Sequence, residues 1–204
     1  MSWRIEAMRD HEGRAAGEML GRAFSENPVA RACLSFCDRD TRLSRVAWLN
    51  RGLVEAARRA GTIEVVREGE RIVGAQLSFA PGAWPLRASV YPWMAGGALG
   101  TGVRGAWRYA RYDHEVHPFH PREPHFYLWV LGVEPAVQGR GVGSALLRAF
   151  CARADQARML AYLETDRRES VLLYQRHGFE IAEEVTIPAL GDLRAWMMRR
   201  APRA

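Results

Sequence analysis

The chain contains no lysine: every one of its 29 basic residues is arginine. Arginine is charged at all physiological pH values and cannot act as a nucleophile in the way a neutral lysine amine does. Cysteine is scarce as well. Cys33, Cys37 and Cys151 are an odd number with no C-x-x-C spacing, which excludes a disulfide framework and a zinc cluster and leaves them as small buried hydrophobes. No run approaches the ~20 apolar residues of a membrane span, and Met1-Ser2-Trp3-Arg4 leads into a strand-like segment rather than a signal peptide. The expectation is a cytoplasmic protein with no membrane partner. Repeats, low-complexity tracts and signs of a second domain are also missing, so residues 1–204, at 48% hydrophobic content, read as one domain with a sizeable core. The net charge of +6 suits an anionic small molecule or an acidic partner. Without a recognisable module it is no argument for nucleic acid.

What is present in strength is a loop. Tyr127 to Val133 is an apolar run that reads as a strand, Pro135 marks a turn, and Gly139, Gly141 and Gly143 lead into a helix expected to begin near Ser144. Glycines let a backbone approach an anion closely, and the unpaired N–H groups of a helix's first turn favour negative charge. The pattern is therefore that of a phosphate cradle. It is not a Walker A loop, because no Lys precedes Ser144, and it is not the dinucleotide fingerprint, because the glycines alternate instead of following G-x-G-x-x-G.

Gln138-Gly139-Arg140-Gly141-Val142-Gly143 resembles motif A (Q/R-x-x-G-x-G/A) of the GNAT superfamily, the acetyl-CoA-dependent N-acetyltransferases. Leu163-Glu164-Thr165, Tyr174-Gln175-Arg176-His177-Gly178-Phe179 and Trp196-Met197-Met198-Arg199 extend the resemblance toward the branch that includes puromycin N-acetyltransferase. It is dense over residues 125–200 and holds only in order of elements before that. It implies acetyl-CoA as co-substrate and direct transfer of the acetyl group, in a ternary complex, to the primary amine of a small molecule. A protein or peptide N-terminus as acceptor and a catalytically inactive CoA-binding module are the alternatives. A monomer or a homodimer fits equally.

The order of elements agrees with one α/β (α+β) domain built on a mixed, mostly antiparallel sheet of about six or seven strands with helices on both faces. Strands are expected at 3–8, 62–67, 71–79, 126–133, 160–164, 179–186 and 193–199. Helices are expected at 11–24, 40–60, 144–156 and 170–177. Residues 81–124, rich in Trp, Tyr, His and helix-interrupting glycines, stand out as a variable insert. With Ser25 to Cys37 they are expected to wall the acceptor pocket, Trp84, Tyr91, Trp93, Trp107 and Trp129 supplying aromatic surface.

Chemistry can then be distributed over residues. The backbone from Gln138 through Gly139, Arg140, Gly141, Val142 and Gly143 to Ser144 is expected to hold the pyrophosphate, the Arg140 side chain either adding charge or standing solvated. The resemblance implies that Leu131, Gly132 and Val133 pair with the pantetheine arm, and that Tyr174 is the acid that protonates the departing thiolate, since a phenol of pKa about 10 is protonated at neutral pH. Ser170 stands where relatives carry Asn. It either contacts the CoA arm or caps a helix. The fourth strand lacks the carboxylate that many relatives use as base. Glu164 is then the first candidate, followed by His125, Glu115 and His117, and an amine arriving neutral needs no dedicated base. His114, His117, His120 and His125 do not read as a metal site, because His117 and His120 precede prolines that disfavour a shared helix face.

Overall fold

The computed structural model describes residues 3–203. Its frame is a seven-stranded sheet: β1 (Glu6–Ala7), β2 (Thr62–Glu68), β3 (Arg71–Phe79), β4 (His125–Val133), β5 (Leu160–Thr165), β6 (Glu180–Ile187) and β7 (Leu193–Arg200), in the order β1-β2-β3-β4-β5-β7-β6. Every pairing is antiparallel except β4 with β5. Helices α1 (Gly13–Phe24), α2 (Pro28–Cys33), α3 (Arg39–Ala60), α4 (Tyr91–Leu99), α5 (Val103–Val116), α6 (Val142–Gln156) and α7 (Arg168–Arg176) connect the strands. One face of the sheet packs on α1 and α3 through Met19, Leu20, Val54, Val65 and Leu77. The other packs on α6 and α7 through Leu147, Phe150, Leu163, Val171 and Met198. Phe150, Leu146 and Leu147 are fully buried, each such side chain stabilising the fold by about 1.5–3 kcal/mol.

The first strand is shorter than expected. Only Glu6 and Ala7 pair, because Glu12 stops the extended run: its carboxylate accepts from the Arg9 amide at 2.7 Å and from Arg67 Nε at 2.9 Å. A 3-10 turn at Asp10–Glu12 follows, so α1 starts at Gly13 instead of residue 11. The insert also differs from its reading as a helix-poor stretch, since it forms α4 and α5 with a break at Gly100–Gly102. Its glycines work as contact points. A Cβ on Gly97 would stand 2.9 Å from the Gly52 Cα, so the two glycines let α4 cross α3 backbone to backbone. Leu86, Val90 and Val116 from the insert then join Tyr127 and Tyr162 of β4 and β5 in one core cluster, which covers the sheet on its α3 side.

Two features of β4 shape the centre. Leu77 pairs with Val130 and Ser78 with Leu128, so Trp129 is an extra residue that bulges β4. The parallel ladder to β5 ends at the same level, with Leu128 opposite Leu163. Beyond it β4 runs on to Val133 without β5, and the two strands part. Among the described residues no helix is long and apolar enough to cross a membrane.

Candidate active site

Where β4 and β5 separate, a cleft of about 740 Å³ opens. Leu131, Gly132 and Val133 of β4 line it, with Gln138, Gly139, Gly141, Val142, Gly143 and Ser144 at one end and Ser170, Leu173 and Tyr174 of α7, with His177 just past its end, along the opposite wall. Of the residues singled out from sequence for binding, only Arg140 lies off the lining. Its guanidinium turns outward, 3.1 Å from Glu68 and over the Trp3 ring. That arrangement favours its reading as a surface arginine.

The loop leaves a run of backbone donors free at the end of the cleft. Gly139 (φ 79°) and Gly141 (φ 83°) take left-handed backbone that a side chain would strain. Gly141 caps α6 with no side-chain acceptor, and α6 begins at Val142, two residues ahead of the expected start, its first helical bond running from the Ala145 amide to the Gly141 carbonyl. The amides of Gly139, Gly141, Val142, Gly143 and Ser144 have no main-chain partner among the described residues, whereas those of Gln138 and Arg140 bond to Pro135 and Val137. The donor set is therefore narrower than the whole 138–144 run. Gln138 contributes by folding the loop back, its side-chain amide donating to the Val133 carbonyl at 3.0 Å. Gly132 is required for a different reason. A Cβ there would come within 2.9 Å of the Phe24 ring on α1.

Tyr174 reaches the cleft from α7, packed edge-on against Phe179, and its hydroxyl has no hydrogen-bond partner among the described residues. Burial, with Asp166 nearby, raises its pKa, so the phenol stays protonated and able to donate. Helix α7 starts at Arg168, two residues early, because the turn after β5 is short. Ser170 is thus inside the first turn rather than at the cap, and lines the cleft. His177 is a cleft residue that sequence reading left without a role. Its Nε2 lies 2.7 Å from the Ser144 hydroxyl, and burial, followed by the charge of Arg148, lowers its pKa. The signal was its place in the same Y-x-R-H-G-F element, but nothing in the sequence shows α7 ending against α6.

Glu164 is not on the cleft lining. It follows Leu163, the last residue of β5 paired with β4, and belongs to the α3 side of the sheet beside Tyr162. Its Oε2 accepts from the Tyr127 hydroxyl at 2.8 Å, and His120 Nε2 stands 2.8 Å from its Oε1. His125 lies in the same cluster, whereas His117 is exposed and Glu115 pairs with Arg111. Of the aromatic residues expected on an acceptor wall, Trp84 and Trp129 pack here. Tyr91, Trp93 and Trp107 are instead 45–60% exposed on the outer surface of the insert. Among the described residues no group of three or more His, Cys, Asp or Glu is arranged to hold a metal ion.

A sequence family described as an acetyltransferase (GNAT) domain matches residues 93–181, the stretch that carries β4, the glycine loop, α6, β5 and α7. Among solved structures, a protein from Corynebacterium glutamicum described as histone acetyltransferase HPA2 and related acetyltransferase superposes with a TM-score of 0.71 at 24% identity, over 100% of this chain and 98% of the other. Arylalkylamine N-acetyltransferase 2 from Aedes aegypti superposes with a TM-score of 0.67 at 12% identity, over 100% of both chains. The whole length of the chain thus follows the fold of these acetyltransferase structures, and residues 93–181, which carry most of the cleft, match the GNAT acetyltransferase domain in sequence.

Proposed function

We propose that the protein moves the acetyl group of acetyl-CoA directly to the primary amine of a small molecule. The observation that carries this reading is the single cleft with free loop amides at one end and an unpartnered, protonated Tyr174 hydroxyl on its wall. The open space at Gly139 and Gly141, where an added Cβ would meet nothing within 4 Å, fits a pyrophosphate resting on the loop. Acetyl-CoA supplies the activated acetyl thioester. Leu131, Gly132 and Val133 offer an unpaired strand edge for the pantetheine amides. Ser170 and His177 face the same channel.

Transfer needs a neutral amine and a proton for the departing thiolate. Tyr174 gives its phenolic proton to the thiolate sulfur, and Glu164 takes the proton that the acceptor ammonium loses. In this reading the amine meets Glu164 beside the end of the β4–β5 ladder, one residue past Leu163. Small amines are favoured over peptides because the insert covers the sheet on its α3 side, and the arylalkylamine in the mosquito protein's name agrees with it. A mere CoA-binding module has no need of a hydroxyl donor held bare in the cleft.

The test is acetyl-CoA-dependent release of free thiol over a panel of aliphatic amines, arylalkylamines, aminonucleosides and short peptides, with melting curves recorded beside it. Acetyl-CoA at about 100 times its dissociation constant should stabilise the chain by about 2.7 kcal/mol, a rise of roughly 5–10 °C in Tm. Turnover with a small amine supports the proposal. Turnover with peptides alone, or a thermal shift without turnover on any amine, rejects it.

A further inference from the structure

Beneath the gap between β4 and β5, on the face away from the nucleotide loop, four polar side-chain atoms are buried without a hydrogen-bond partner among the described residues: Trp84 Nε1, His120 Nδ1, His125 Nε2 and Tyr162 Oη. Native interiors pair the great majority of such atoms, because each one left bare forfeits its hydration without compensation. Here they share one cluster. The His120 ring lies 4.7 Å from the rings of both Tyr127 and Tyr162 and stacks on Trp84 at 5.4 Å, with His125 at 5.9 Å and His117 at 5.7 Å.

The protonation pattern follows from the contacts. His125 Nδ1 lies 2.8 Å from the Glu123 carbonyl, which only accepts, so the proton is on Nδ1 and Nε2 is a bare acceptor. Tyr127 donates to Glu164 Oε2, which leaves Oε1 to face His120 Nε2 at 2.8 Å. No arginine pairs with this carboxylate among the described residues, although arginines pair with Glu6, Glu12, Glu18, Glu64 and Glu134. A fixed guanidinium would hold Glu164 permanently as an anion. A histidine leaves it able to take a proton and pass it on.

We propose that His120, delivered by the insert, is the proton relay of the acceptor side, acting through Glu164. This rests on the direct-transfer reading above. The acceptor ammonium N–H bond breaks as an O–H bond forms on Glu164, and that proton moves to His120 Nε2, leaving a neutral amine and an imidazolium. His117, exposed beside His120, passes the charge to solvent. Other titratable groups around the pair are Tyr127 and Tyr162 on the strands, His125 at the start of β4, Tyr112 and Asp113 on α5, and Arg199 of β7, which pairs with Tyr162. His120 is a positioning and relay residue; only Glu164 meets the substrate.

His120→Gln and His120→Ala are compared with the unaltered full-length chain on whichever amine of the panel it acetylates, from pH 6 to 10. The expected result is a kcat/KM for the amine reduced by about 100-fold near neutrality, with the deficit closing as pH rises past the pKa of the amine. KM for acetyl-CoA and the thermal shift it causes should be unchanged. Added imidazole should restore part of the rate of His120→Ala. A deficit that is constant across pH, or a rate indifferent to imidazole, assigns His120 to packing and overturns the relay. Failure of the unaltered chain to acetylate any amine removes the direct-transfer reading itself, and the relay with it.

Discussion

Tyr174 and Gly141 show how differently single residues enter this site. Tyr174 is 7% exposed and holds a bare hydroxyl in the cleft, so Tyr174→Phe removes one oxygen and disturbs no hydrogen bond among the described residues. Steady-state kinetics should show kcat lowered by about 100-fold with acetyl-CoA affinity within a factor of two or so. Equal losses in affinity and kcat would take the proton-donor role away from it. Gly141 acts through its backbone. At φ 83° an L-residue is strained by about 1–2 kcal/mol, and a carboxylate there would oppose a pyrophosphate on the neighbouring amides. Gly141→Asp should abolish the thermal shift by acetyl-CoA while the chain stays folded, and a retained shift would place the phosphates elsewhere. Gly141 was legible from the spacing of the glycines, whose effect is local, and Tyr174 through the resemblance of its segment to a family element. Arg140 was not. Its direction is decided by Glu68 and Trp3, which lie far from it along the chain.

Among the elements, β4 and the insert divide the labour. The bulge at Trp129 and the early end of the ladder to β5 create the cleft, and neither is visible in a run of apolar residues, since a bulge is a property of two strands in register. The insert shows a related lesson. Its glycines looked like helix breakers, and Gly100 and Gly102 do mark the break, but Gly97 is where α4 lies on Gly52 of α3. Gly97→Val should push these helices apart and cost about 2–3 kcal/mol. On the proposed reading α4 and α5 wall the acceptor side and carry none of the glycine loop, so the amine KM should rise much more than the acetyl-CoA KM. Parallel rises in both would mean that the insert supports the whole domain and has no special place on the acceptor side.

For the molecule as a whole, the buried charges set its response to acid. Asp155 is held below the usual carboxylate range by Arg200, which it meets through two bonds of 2.7 and 2.8 Å, and Glu12 is held there by Arg67. Both contributions are intact above the ordinary carboxylate pKa and are lost as pH falls through the folded-state values. His177 and His125 are held below the usual imidazole range by burial. The unfolded chain therefore binds protons at these positions first, and stability falls as pH drops below about 6.5. Melting followed by circular dichroism should give a Tm nearly level from pH 8 to 7, declining below about 6.5 and falling steeply near 4. A Tm that holds or rises between pH 6.5 and 5 would contradict the histidine contribution.

The amino-acid order by itself determined the run of seven strands, the helices α1, α3, α6 and α7, and the glycine loop. Each of these depends on periodicity, glycine conformation or a helix terminus, and so on neighbours a few positions apart. Tertiary structure decided the rest. It set the order of the seven strands in the sheet, the gap beyond Leu128 and Leu163, and the meeting of His120, Tyr127 and Glu164 beside that gap. Those outcomes turn on which apolar faces bury one another, a competition among segments far apart in the chain that no local pattern records.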